Sequence, residues 1–213
     1  MAALAAAVLV LLALAQLVLP RIAASQISSK VGRYGHVEHV SVSAWPAVEL
    51  LWGDADSVKV RAGRLAITPS QAASLLWEGR GVDRLDVSAE AVQVGSLALT
   101  GATLTKRGAQ LEAHAQATTA AAQAALGPGV GVRLLSSEAG KVRVEVTGSL
   151  FGLGASLPAV AEAQDGALVA HPEGLLASFK MTIFGDRHVH VEGVSAHAVG
   201  TSAYELGMTA LLG

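Results

Sequence analysis

His188 and His190 stand two residues apart, and Glu192 follows at the same interval. On a β-strand, residues at i, i+2 and i+4 share one face. Two imidazoles and a carboxylate are a donor set that Zn²⁺ accepts. Val189 and Val191 take the other face, the one a core would bury, so the trio reads as a solvated strand surface and no metal is expected. His36 and His39, near a strand start, read as structural or surface residues. Asp54 and Asp56 flank a tight turn after Trp52-Gly53. Paired carboxylates can divide acid–base work, but Asp beside Gly forms turns without any catalytic role. The sequence contains no G-x-S-x-G, no phosphate loop, no G-x-G-x-x-G and no H-E-x-x-H. Phe151-Gly152-Leu153-Gly154 joins two strands and opens no helix, so it does not suit phosphate cradling. Neither an enzyme nor a cofactor is expected.

The elements that hold these residues are mostly strands. From residue 37 onward the apolar positions recur with period two. In 141–150, Val142, Val144 and Val146 alternate with Lys141, Arg143, Glu145 and Thr147, which describes a strand with one wet and one apolar face. The C-terminal segment repeats the pattern through Tyr204, Leu206, Met208, Ala210 and Leu212. Further strands are expected at 37–45, 56–66, 84–94, 97–105, 109–117, 131–137, 154–164, 167–171, 178–184 and 187–198. Asp165-Gly166 is a two-residue hairpin signal. The apolar phase slips between Ala91 and Val92, which suggests a β-bulge. Two helices interrupt the strands. Thr68 and Gln71 have capping-box spacing with Pro69 at the first helical position, and that helix stops at Gly79. An Ala-rich helix runs from Thr119 to Leu126, before Gly127-Pro128-Gly129.

One-sided strands need a cover, and two short helices cannot cover about ten of them. The expected fold is α+β and mostly antiparallel, a curved sheet or barrel-like wrap around one or two short helices. Small residues at inward positions (Ala89, Ala98, Ala102, Ala113, Ala115) could leave an apolar lumen incompletely filled, although composition alone favours a well-packed core.

Residues 1–19 carry one polar side chain, Gln16, and the run ends at Pro20-Arg21. A helix of that length approaches the thickness of a bilayer core. Residues 1–20 are expected to be a membrane anchor, one N-terminal membrane helix, or else a cleaved signal peptide. Residues 21–36 would form a stalk, and 37–213 the β-rich domain. No Lys or Arg precedes the run, and Arg21, Lys30 and Arg33 follow it. The positive-inside rule alone would then leave the domain in the cytoplasm. The remaining composition is quiet: 15 Lys and Arg, 17 Asp and Glu, no cysteine and no basic cluster. Nucleic acid is not an expected partner.

Several segments together resemble one family. V-S-V-S-A-W-P-A-V-E-L-L-W-G-D-A-D-S-V-K-V at 40–60, T-P-S-Q-A-A-S-L-L-W at 68–77, L-T-G-A-T-L-T-K-R-G at 99–108, S-L-F-G-L-G-A-S at 149–156 and D-G-A-L-V-A-H-P-E-G-L-L at 165–176 occur in order. This set is similar to the LmeA-like phospholipid-binding proteins. The resemblance implies a fold like the tubular lipid-binding proteins, with an apolar channel. It also implies an extracytoplasmic place in the bacterial cell envelope, phospholipid such as phosphatidylinositol species as ligand, the membrane as partner, and support of lipomannan-type lipoglycan assembly. It supplies no ligand residues.

The candidate site therefore comes from the residues themselves. Trp45 and Trp52 bracket a segment that Pro46 demotes to an edge or rim, where aromatics often sit between apolar interior and water. With Leu75, Leu76, Trp77, Phe151, Leu175, Leu176 and Phe179 they are the candidates to line an apolar cavity or its rim. Arg64, Lys106 and Arg107 are the candidates to meet a lipid phosphate. The competing function is a non-enzymatic envelope scaffold with a filled core.

Overall fold

The alternating segments form strands nearly where the sequence places them. The computed structural model describes residues 2–127, 129–150, 153–174 and 178–213. The chain runs α1 (Ala2–Val31), β1 (Gly35–Ser43), β2 (Ala55–Ile67), α2 (Pro69–Glu78), β3 (Val82–Val94), β4 (Leu97–Arg107), β5 (Gln110–Thr118), α3 (Thr119–Leu126), β6 (Gly131–Glu138), β7 (Lys141–Leu150), β8 (Leu153–Gln164), β9 (Ala167–Pro172), β10 (Met181–Phe184), β11 (Val189–Val199) and β12 (Ala203–Leu212). The strands make two sheets, one of seven in the order β1-β2-β3-β4-β5-β12-β11 and one of five in the order β10-β9-β8-β7-β6. Among the described residues only β2 and β3 pair in parallel, with α2 as their crossover. The architecture is thus α+β and mostly antiparallel, as expected. The single wrapped sheet is corrected: two sheets share the strands, three helices accompany them, and neither sheet closes into a barrel among the described residues.

Local chemistry explains the punctuation. At the start of α2, Thr68 Oγ1 accepts from Gln71 N at 3.3 Å, and Gln71 Oε1 accepts from Thr68 N at 2.8 Å. That reciprocal capping box satisfies two backbone donors with no helical partner. Asp165 (φ 52°) and Gly166 (φ 78°) make the β8–β9 hairpin in the left-handed region that a two-residue turn requires. Ala139 (φ 52°) and Gly140 (φ 75°) do the same between β6 and β7, without an Asn or Asp to announce it.

The core lies on one face of the seven-stranded sheet. Ile27 and Val31 of α1 pack on Val40, Val42, Val58, Val60, Leu85 and Val87. Ala73 and Leu76 of α2 pack on Leu111, Val189 and Ala210. The phase slip at Ala91-Val92 is not a bulge, because β3 keeps an unbroken register with both neighbours. The apolar side changes instead. Val92 and Val94 pair with Leu99 and Leu97 on the opposite face from Val87, at the end where α3 packs against β4. The extra residue sits in β4, where the register against β5 shifts between Thr100 and Thr103 around Gly101 (φ 58°).

α1 does not end at Pro20. It continues to Val31 with Pro20 inside it, spanning the expected run at 1–20 and most of the expected stalk at 21–36. Proline removes one hydrogen bond from a helix interior, and the docking of Ile27 and Val31 onto β1 and β2 gives the second half a reason to stay helical. Among the described residues, no helix is long and apolar enough to cross a membrane.

The sheets join at the free edge of β11. Val191 N donates to Gly166 O at 2.8 Å, and Val194 N to Gly140 O at 3.1 Å. Ala196 N donates to Ser137 Oγ at 2.9 Å. The five-stranded sheet therefore stands with its β6–β7 and β8–β9 turns against β11. These contacts occupy edge donors that would otherwise invite another strand.

A candidate lipid-binding face

The five-stranded sheet has two chemically opposite faces. Cross-strand pairing puts Arg133 beside Glu145, Lys141 beside Glu162, and Arg143 beside Val160 and His171 on one of them. Arg133 and Arg143 hold Glu145 and Glu173 at 2.7 Å each. Lys141 holds Glu162 at 2.5 Å, and His171 Nε2 lies 3.2 Å from the same carboxylate. Hydrogen bonds from Ser156 and then Arg133 lower the pKa of Glu145. Lys141, and more weakly His171, lower that of Glu162, and Arg143 lowers that of Glu173. A concavity of about 460 Å³ on this face is lined by these paired charges. The cations already hold carboxylates, so these charges are not free for a ligand, while Val160 and Val169 among them are buried.

The other face is apolar. Its rows run Val132–Val146–Leu157, Leu134–Val144–Ala159–Pro172, and Ser137–Val142–Ala161–Ala170–Met181. Val142, beside the β11 junction, is buried. Farther out Val132, Leu134, Val144, Val146 and Ala159 are half-buried, and Leu157 is 37% and Met181 61% exposed. Among the described residues, α1 and α2 serve the seven-stranded sheet, while α3 meets the five-stranded one at its β6 edge and β11 meets it at its turn end. Contiguous apolar surface that reaches solvent marks a candidate binding face. On the seven-stranded sheet, Ala91, Ala102, Ala113 and Ala115 share the side of the core but lie beyond the part α1 and α2 cover, and they too are half-buried.

The LmeA-like phospholipid-binding family matches residues 10–199. The chain belongs to that family. No curated protein and no solved structure matches it.

The family places phospholipid binding in a chain whose expected site residues the fold scatters. Trp45 and Trp52 are 76% and 73% exposed on a loop beside α1, away from the apolar face. Trp77 is half-buried at the end of α2, stacked on His188 with centroids 4.0 Å apart, and Arg80 lies 4.7 Å over its ring. Leu76 belongs to the core under α2, and Leu75 beside it is half-buried. Phe179 is exposed just before β10. Phe151, Leu175 and Leu176 lie outside the described residues.

Nor do the three cations converge. Lys106 is corrected outright: it is 2% exposed, and its ammonium donates to Val82 O and, at 3.2 Å, to Arg80 O. Burial lowers its pKa against the opposing pull of Asp83. Lys106 cannot reach an external phosphate without abandoning both carbonyls. Arg107 and Arg64 are exposed, but Arg107 is in register with Arg84 and Ser57. Arg64 lies seven residues farther along β2 on the opposite face, which is about 23 Å at strand rise. Sequence reasoning missed Val132, Leu134, Val144, Val146, Leu157, Ala159, Ala170 and Met181 as site residues. Their alternation was legible, but that no described helix packs across them was not.

Among the described residues, no three His, Asp or Glu side chains gather as metal ligands would. His190 and Glu192 are exposed opposite buried Val189 and Val191, as the alternation implies.

Proposed function

We propose that this protein is an extracytoplasmic phospholipid-binding protein of the bacterial cell envelope, which receives acyl chains on the apolar face of its five-stranded sheet. The observation that carries this reading is that face itself, half-buried across rows of Val, Leu and Ala with Leu157 and Met181 exposed, in a chain of a phospholipid-binding family. Each methylene withdrawn from water contributes about 0.8 kcal/mol, so about ten methylenes covered on this surface supply the roughly 8 kcal/mol that micromolar affinity represents, without bond chemistry. The open face takes the place of the enclosed lumen expected from a wrapped sheet. Support of lipoglycan assembly, with phosphatidylinositol species as ligand, is the role that the resemblance favours. Anchoring by the apolar start of α1, or secretion after its removal, fits the sequence of residues 1–19. Arg64 and Arg107 remain exposed cations, but both belong to the seven-stranded sheet, so neither stands on the face proposed for the acyl chains.

Native mass spectrometry of the gently purified full chain tests the reading. About one phospholipid per chain is expected. A lipid-free protein that also fails to take up fluorescent phospholipid refutes it. The scaffold alternative draws on one observation, that neither sheet closes into a barrel among the described residues, and it becomes the better account if lipid is absent.

A further inference from the structure

The loop between β1 and β2 reverses the ordinary order of burial. Its alanines, Ala44 and Ala47, are 7% and 2% exposed, while Trp45, Leu51 and Trp52 are 76%, 68% and 73% exposed. Burying any of those three large side chains would contribute about 1.5–3 kcal/mol, so a fold that spends its alanines on the core and holds these side chains outward needs a partner for them. The loop is also tied to one place. Ala47 N donates to Gln16 Oε1 at 2.5 Å, and the 3-10 turn Ala47–Leu51 packs against α1. Gln16 is the first polar residue of the chain, and all fifteen residues before it are apolar. The loop thus meets α1 at the boundary between its wholly apolar start and its mixed remainder. Val18 and Ile22, each 48% exposed, continue the apolar surface on the helix, and Arg21 follows one turn beyond Gln16.

We infer that the Trp45–Trp52 loop docks on a phospholipid bilayer, with Trp45, Leu51 and Trp52 seated at the level of the headgroups and the apolar start of α1 directed into the acyl region. Tryptophan favours that interface because one ring supplies an apolar body and a polar N–H. Glu49 lies within the loop and Asp54 and Asp56 follow it, against Arg21 on the helix. Attraction to anionic lipid is therefore not the driving force, and docking on zwitterionic lipid should be insensitive to salt. Such seating would bring the lipid-binding domain against the surface from which lipid must come. The inference rests on the proposed lipid-binding role, but its test separates the two.

The full chain is mixed with phosphatidylcholine vesicles whose acyl chains carry bromine near the headgroup, and tryptophan quenching is read from three single-tryptophan forms. Trp52→Phe/Trp77→Phe leaves Trp45, Trp45→Phe/Trp77→Phe leaves Trp52, and Trp45→Phe/Trp52→Phe leaves Trp77. Quenching of Trp45 and Trp52 by at least half, with Trp77 little changed, is expected. It should persist in a Leu157→Glu background, which impairs the sheet face but not the loop. Unquenched Trp45 and Trp52, equal quenching of all three, or protein that does not float with the vesicles overturns the inference. Loss of quenching in the Leu157→Glu background also overturns it, because the rings would then be reporting lipid held on the sheet.

Discussion

Leu157 offers the sharpest test of the apolar face. It sits in the row Val132–Val146–Leu157 and is already 37% exposed, so Leu157→Glu leaves its carboxylate wet in the free protein and costs folding only about 1 kcal/mol of lost apolar contact. An acyl chain lying over the row would cover that carboxylate. An ion without a partner does not stay charged in such a place; it takes up a proton. At pH 7.4, protonating a carboxyl of ordinary pKa near 4.3 costs about 4 kcal/mol, so lipid affinity should fall by up to about a thousandfold. At pH 5.5 the same cost is about 1.6 kcal/mol, so affinity should recover about eightyfold. Leu157→Gln loses the same apolar contact without acquiring a titrating group, and its affinity should not vary over this range. Titration with a fluorescent phosphatidylcholine, at both pH values and beside the parent protein, measures all three. A Leu157→Glu protein that binds like the parent at pH 7.4, or one whose loss ignores pH, would show that acyl chains do not lie on this face.

Three further outcomes follow from the fold. Gly166 sits at φ 78°, and a Cβ there would fall on the His190 ring; Gly166→Ala should cost more than the about 1–2 kcal/mol of left-handed backbone alone, and His190→Ala in the same chain should remove the excess in a denaturation double-mutant cycle. Thr68→Ala removes the capping box of α2 and should cost about 1 kcal/mol, read as a midpoint about 2–4 °C lower in calorimetry. Glu145, Glu162 and Glu173 have lowered pKa values in the folded chain; the unfolded chain therefore binds protons first, and stability present above the ordinary carboxylate range should drain away as pH falls through and below it. Lys141→Met should blunt the Glu162 share of that acid loss in pH-dependent unfolding, and an unchanged acid profile would remove Lys141 as its cause.

How much was legible varies element by element, for physical reasons. Strand β7 could be read completely, because pleating converts alternate residues into faces and Lys141, Arg143 and Glu145 cannot share a face with Val142, Val144 and Val146 without cost. Helix α2 could be read from Thr68, Pro69 and Gln71, because capping is satisfied within one turn. The Ala139-Gly140 hairpin could not be read so clearly, since alanine pays a left-handed penalty that only the flanking strands justify. Val92 and Val94 misled in another way. A change in which face is covered looks, in one dimension, the same as an inserted residue. Lys106 was taken for a surface cation because nothing in its neighbours reveals that two carbonyl groups, of Arg80 and Val82, lie within reach of its ammonium.

By itself the amino-acid order determined the strands, the caps, one charged and one oily side to strands such as β7, and a family resemblance that the matching family model bears out. All of these depend on contacts between residues close in the chain, or on patterns that repeat along it. Only the tertiary structure decided that twelve strands part into two sheets, that the turns at Gly140 and Gly166 lock one sheet onto β11, and that no described helix is left to cover the second oily face. Those outcomes depend on which distant segments compete for the same apolar surface, and residues 27, 58, 76 and 189 settle that competition only once they meet.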